Sequence, residues 1–161
     1  ESPKQLAVVD LEVPGAKKAP PAKPVVMMQS GYQFAPGVLA VQTGTQVIFP
    51  NDDSDYHNVF SYSKAKRFDL GRFRKDEASP SVLFDKPGVV KIYCEIHQHM
   101  RCFVVVLDTP WFVTTDAAGR FSLKNIPPGE YWLRVFQPSE KLLQERVTVT
   151  EGKTTKVNLS R

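Results

Sequence analysis

The chain has 161 residues, enough for one medium domain or two small ones. It is 42% hydrophobic and 24% charged, as globular proteins are, and no stretch approaches the ~20 apolar residues of a membrane helix, so no transmembrane segment is expected. The net charge is +4, with much of the excess in Lys64, Lys66, Arg67, Arg72, Arg74 and Lys75; these alternate with Asp69, Asp76 and Glu77 and form no nucleic-acid-reading motif, so nucleic acid is excluded as a partner.

In chain order, Leu6–Val13 reads as a short strand, and Pro14–Pro24 as an extended linker, because repeated proline fixes φ and removes donors. From Val25 the chain becomes strand after strand: Val25–Gln29, Val38–Val41, Gln46–Phe49, Asn58–Ser61, Ser81–Phe84, Val89–Cys94 and Phe103–Leu107. Turn signals such as Ala35-Pro36-Gly37, Thr43-Gly44 and Lys86-Pro87-Gly88 separate them. The basic cluster between Lys64 and Lys75 reads as a solvated loop or as a patch that steers an acidic partner. No window holds a helical period, so an all-β sandwich or barrel is predicted. A second unit starts near Thr109: strand, turn and strand over Thr114–Leu123, an alternating strand over Tyr131–Phe136, and a closing hairpin of Val147–Thr150 and Thr155–Leu159 about the Glu151-Gly152 turn. The predicted division is 1–24, 25–108 and 109–161; the last segment is marginal for an independent core and is expected either to lean on the preceding domain or to borrow the strand at 5–13.

Chemistry concentrates in two windows, Asn51–Phe60 and Tyr93–Cys102, which hold all three histidines, both cysteines and one of the three methionines. A lone upstream His joined to a later C-x2-H-x2-M loop supplies two imidazoles, a thiolate and a thioether, the donor set of a mononuclear copper site. Paired zinc spacings are missing, and no motif offers the base and oxyanion hole a cysteine hydrolase needs, so no enzymatic activity is expected. A Cys94–Cys102 disulfide is the main rival reading, since it would consume the thiolate.

Phe49-Pro50-Asn51-Asp52, His57-Asn58-Val59-Phe60-Ser61, Phe84–Val90 and Cys94-Glu95-Ile96-His97-Gln98-His99-Met100 together resemble the cupredoxins over roughly residues 25–112. They are similar to plastocyanin and pseudoazurin, and closer still to the bacterial periplasmic cupredoxin-like proteins labelled methylamine-utilisation proteins, whose copper loop also runs into a stretch like Leu107–Phe112. Thr115–Phe121 and Ile126–Tyr131 resemble the carboxypeptidase-regulatory-like, transthyretin-like β-sandwich. The resemblance implies a cupredoxin Greek-key β-sandwich followed by a small transthyretin-like β-sandwich. It implies one copper ion, cycling as Cu(I)/Cu(II), with His57, Cys94 and His97 as equatorial ligands, Met100 as the axial one, and Asn58 tying the two ligand loops together. Two residues separate His97 from Met100, where plastocyanin-like loops have four, which leaves His99 and Glu95 as alternative ligands.

Three functions follow as expectations: periplasmic one-electron transfer with a redox partner protein, itself acidic; copper delivery, buffering or sensing with a copper donor or acceptor; or a metal-free interaction module. The chain opens on Glu1-Ser2-Pro3-Lys4, as an exported protein does once its signal peptide is removed.

Overall fold

A computed structural model describes residues 6–138 and 140–160. Among them the secondary structure is entirely extended: β1 (Val8–Glu12), β2 (Val25–Val26), β3 (Met28–Ser30), β4 (Gln33–Ala35), β5 (Val38–Gln42), β6 (Thr45–Ile48), β7 (His57–Ser63), β8 (Lys66–Phe73), β9 (Ser81–Phe84), β10 (Gly88–Tyr93), β11 (Arg101–Leu107), β12 (Phe112–Thr114), β13 (Gly129–Phe136) and β14 (Leu143–Val149). Gln5, where the sequence-based N-terminal strand begins, lies outside the described residues. No helix is long and apolar enough to cross a membrane among the described residues.

The chain forms two compact units. Lys18–Asp108 is one; the segments up to Lys17 and from Thr109 form the other. In the first, a five-stranded sheet runs β5-β11-β10-β7-β8 and a three-stranded sheet runs β2-β6-β9. β5 joins β11 in parallel, whereas β11, β10, β7 and β8 pair antiparallel. Alternation decides which side chains face inward. Val90 and Ile92 of β10 and Cys102, Val104 and Val106 of β11 enter one apolar cluster with Val47 of β6 and Val82 and Phe84 of β9. Lys91 and Leu83, one residue out of phase, are exposed. Met27, Phe49 and Phe84 are fully buried and fill the space between the sheets.

The stretch from Lys66 to Phe73 is a strand and not the solvated loop that its charges suggest. Phe68 and Leu70 pack against the core, while Arg67 and Asp69 on the other face are exposed. The pairing with β7 shifts between Asn58 and Phe60, next to Gly71 at φ 71°, and the shift turns Phe73 inward at the end of the strand. Gly88 opens β10 at φ 144°, and a Cβ there would lie 2.9 Å from the Ala65 Cβ. Gly88→Ala is therefore expected to cost about 1–3 kcal/mol. Urea unfolding reads this as a lower midpoint; an unchanged midpoint would show that the backbone at this end of β10 yields.

In the second unit the order is β12-β1-β13-β14, all antiparallel. Val9, Leu11, Leu133, Val135 and Val147 present one apolar face, against which Phe121, Leu123, Ile126, Val157 and Leu159 pack. Buried Asp10 forms an ion pair with Arg134, its register partner on β13. The segments Arg120–Leu123 and Thr155–Leu159, predicted as strands, join no ladder. The turn at Thr150–Lys153 does form, with Gly152 at φ 70°, and the Thr155 hydroxyl donates to the Thr148 carbonyl of β14, but Val157 and Leu159 dock onto the apolar face of the sheet by side chain and form no ladder.

Candidate metal centre

The first window is a loop built by Asn51. Its buried amide donates to the carbonyls of Asp55 (2.9 Å) and Phe73 (2.9 Å), and its Oδ1 accepts from the Asp53 N–H (2.9 Å). This folds residues 51–56 back so that His57 enters β7 opposite Phe73, with its ring fully buried. His57 Nε2 lies 2.8 Å from Asp53 Oδ2. A carboxylate can only accept, so Nε2 donates to Asp53 and Nδ1 is the ring nitrogen turned towards the second window.

The second window follows β10. Cys94, just past its end, is buried. Its N–H donates to the Met100 carbonyl (3.3 Å), and the Met100 N–H donates to the His97 carbonyl (3.0 Å), so the loop closes on itself between strand ends. This closure turns His97 inward. The His57 and His97 Nδ1 atoms are 3.1 Å apart, and Cys94 Sγ is 4.0 Å from His97 Nδ1. The three ligand atoms all lie within 4.8 Å of one another, a grouping able to hold a metal ion. His97 is half-buried, so the cluster runs from the core to the surface.

Asn58 joins the windows. Its backbone N–H points to Cys94 Sγ at 3.5 Å, and its side-chain oxygen accepts from the Glu95 N–H at 3.4 Å. Its amide nitrogen donates to Asp69 Oδ1 (2.8 Å), which brings β8 into the arrangement. Met100 is buried in the same apolar cluster as Cys94. The two alternative ligands are engaged elsewhere: Glu95 pairs with Arg72 (2.9 Å), and His99 Nε2 donates to the Tyr32 carbonyl (3.0 Å). Both cysteines are free thiols, which removes the disulfide. Cys102 stands opposite Ile92 inside the core, where burial pushes its thiol well up and keeps it protonated.

Three residues outside the predicted ligand set also shape the site. Asp53 accepts from His57 and from the N–H groups of Gly31 (2.8 Å) and Tyr32 (2.9 Å). Burial works to raise its carboxyl, but these donors outweigh that and hold it below the ordinary carboxylate range. Tyr32 lies edge-on to His57 and to His97, its ring 5.7 and 5.0 Å away. Its hydroxyl donates to Asp55 Oδ2 (2.5 Å), and this bond, with lesser help from burial, raises the phenol. Asp69 orients Asn58. Tyr32 and Asp69 act on residues outside their own segment, and Asp53, although inside the first window, shows its second role only where Gly31 and Tyr32 meet it.

The donor set fits copper. Two imidazoles and a thiolate, with a buried thioether carried by the same closed loop, suit a soft, redox-active ion better than a hard one. A cleft of about 1450 Å³ in the other unit is lined by Val9, Leu133, Phe121 and Val157, with no histidine or cysteine among its lining residues.

Residues 103–160 match the family model of the carboxypeptidase regulatory-like domain. No curated protein matches the chain. Among solved structures it is similar to a Cu-containing nitrite reductase from Thermus scotoductus, at 27% identity and a TM-score of 0.50, over 60% of this chain and 25% of that one. The chain thus spans about a quarter of that enzyme's length. It is similar also to a reduced amicyanin variant (21% identity, TM-score 0.49, 62% of this chain and 98% of that one). A purple cupredoxin from Nitrosopumilus maritimus is a further similar structure (24% identity, TM-score 0.45, 51% and 98%). Both halves of the resemblance read from the sequence hold: the chain is all-β, is cupredoxin-like in fold, and is similar over residues 103–160 to the carboxypeptidase regulatory-like domain.

Proposed function

We propose that this chain is a mononuclear copper protein for one-electron transfer, with His57, Cys94, His97 and Met100 as the residues that hold one Cu(I)/Cu(II) ion. The observation that carries the reading is the convergence of the His57, Cys94 and His97 ligand atoms within 4.8 Å. Similarity to a Cu-containing nitrite reductase supports the choice of metal; the nitrite chemistry of that larger enzyme is not carried over, and a non-enzymatic role is proposed here. Bound copper would supply a one-electron couple with a strongly covalent thiolate bond.

The chain's own residues suit that couple. Asp53 fixes the tautomer and orientation of the buried His57, and the Asn58 N–H is placed to accept part of the thiolate charge. The hydrogen-bonded closure of the Cys94–Met100 loop between β10 and β11 resists rearrangement, so the ligands keep one geometry in both oxidation states. Half-buried His97 is the natural exit for the electron. The engagement of Glu95 with Arg72 and of His99 with Tyr32 favours a closed site over an exchanging one, and so favours electron transfer over delivery or buffering.

An acidic redox partner in the periplasm completes the proposal. Lys64 and Arg67 make no ion pair among the described residues, whereas Lys66 and Arg72 pair with Asp85 and Glu95. Such steering weakens as salt rises. Film voltammetry of the loaded protein tests the function: a reversible one-electron wave at fast scan rates is expected, and an irreversible wave with copper lost on reduction would favour delivery instead. Met100→Leu is expected to retain copper while changing potential and spectrum. An unaltered spectrum would remove Met100 from the site.

A further inference from the structure

We infer that Tyr32, outside both ligand-bearing windows, is the closing wall of this metal centre, and that it keeps external ligands and reagents away from His57, His97 and Cys94. The inference rests on the proposed site, but its core is geometric. Tyr32 sits with Gly31 in the turn between β3 and β4, and both residues have positive φ, 63° for Gly31 and 59° for Tyr32. A two-residue turn of this kind favours glycine or asparagine, and a bulky side chain there is sterically costly. The position is nonetheless held by four hydrogen bonds, every one to a residue of the two windows. Asp53 accepts from Gly31 N–H and Tyr32 N–H, Asp55 accepts from the Tyr32 hydroxyl, and His99 donates to the Tyr32 carbonyl.

The result is a ring clamped over the imidazole pair. Its plane stands 79° to His57 and 80° to His97, the edge-to-face packing that aromatic rings favour. Tyr32 is 37% exposed while His57 beneath it is 0% exposed, so the tyrosine is the layer between the cluster and water on that side. Asp53 serves two ends at once: the same carboxylate that orients His57 also fixes the turn that covers it. His99, one of the alternative ligands, is in this arrangement a tether for the cover.

The test uses Tyr32→Gly, which removes the ring and suits the positive φ, and Tyr32→Phe, which keeps the ring and loses only the Asp55 bond. In the reduced, metal-free full chain, the rate of Cys94 alkylation by iodoacetamide is measured by mass spectrometry, with buried Cys102 as the internal control for folding. If the uncovered state of the native protein is populated at ~10% or less, Tyr32→Gly should speed Cys94 labelling roughly tenfold or more, with Cys102 still protected and Tyr32→Phe close to the native rate. In the copper-loaded protein, azide should perturb the visible and paramagnetic resonance spectra of Tyr32→Gly and leave the native protein unchanged. Equal Cys94 labelling in all three proteins would overturn the inference even if copper binds. Selective acceleration in Tyr32→Gly would uphold it even if the native protein takes up no copper, in which case the copper reading alone fails.

Discussion

Replacing Cys94 by Ser is expected to leave a folded protein that has lost the intense visible absorption of its copper form. The sulfur lies within 4.0 Å of His97 Nδ1 and receives the Asn58 N–H, so it is the only thiol placed among the imidazoles; Cys102 stands in the core opposite Ile92. A hydroxyl is a poorer donor to a soft ion and gives no thiolate charge-transfer transition. The structural penalty is modest, about 1–3 kcal/mol for a buried hydroxyl with imperfect partners. Absorption spectroscopy and circular dichroism of the loaded variant check both halves. Retained colour would take Cys94 out of the site; a lost fold would show that the residue is needed for packing first.

Phe84→Ala is expected to produce the largest loss of stability, about 3–5 kcal/mol, out of the ~5–15 kcal/mol typical of a domain. Its ring is fully buried on β9 and meets Phe68 edge-on at 6.2 Å, so truncation leaves a cavity between the two sheets. Leu83→Ala, one residue away and 42% exposed, should stay within about 0.5 kcal/mol. The contrast measures register, because a slip of one residue on β9 would exchange the two outcomes. Urea unfolding followed by circular dichroism decides it, and similar losses in both variants would contradict the sheet pairing.

The sequence made legible those features whose signal is local. β-Branched and aromatic residues mark β9 and β10, clean alternation marks β13, and turn residues separate most of the strands. A solitary histidine with a C-x2-H pair pointed to the residues that converge. β8 was hidden because Lys66, Arg67, Asp69 and Arg72 crowd a stretch whose inward positions, Phe68 and Leu70, are only half-buried, and the shift near Gly71 breaks the alternation before Phe73. In the C-terminal unit, Thr155–Leu159 has the alternation of a strand but spends it on side-chain docking against a sheet. Tyr32, and the link of Asp53 to it, are illegible for a different reason. Their roles come from one hairpin turn meeting a loop more than twenty residues later, which is set by tertiary structure and leaves no spacing to read. The opposite case is Cys102: sequence proximity to Cys94 suggested a bridge, whereas strand register buries Cys102 as a free thiol among apolar neighbours.

The central claim, that His57, Cys94 and His97 form one copper site, is tested most directly by titrating the reduced, metal-free protein with Cu(II) under visible absorption and electron paramagnetic resonance. The expected result is an intense thiolate-to-copper band that saturates at one equivalent and bleaches reversibly with ascorbate. A saturating titration with no such band, while Cys94 is verified as a free thiol, would contradict it.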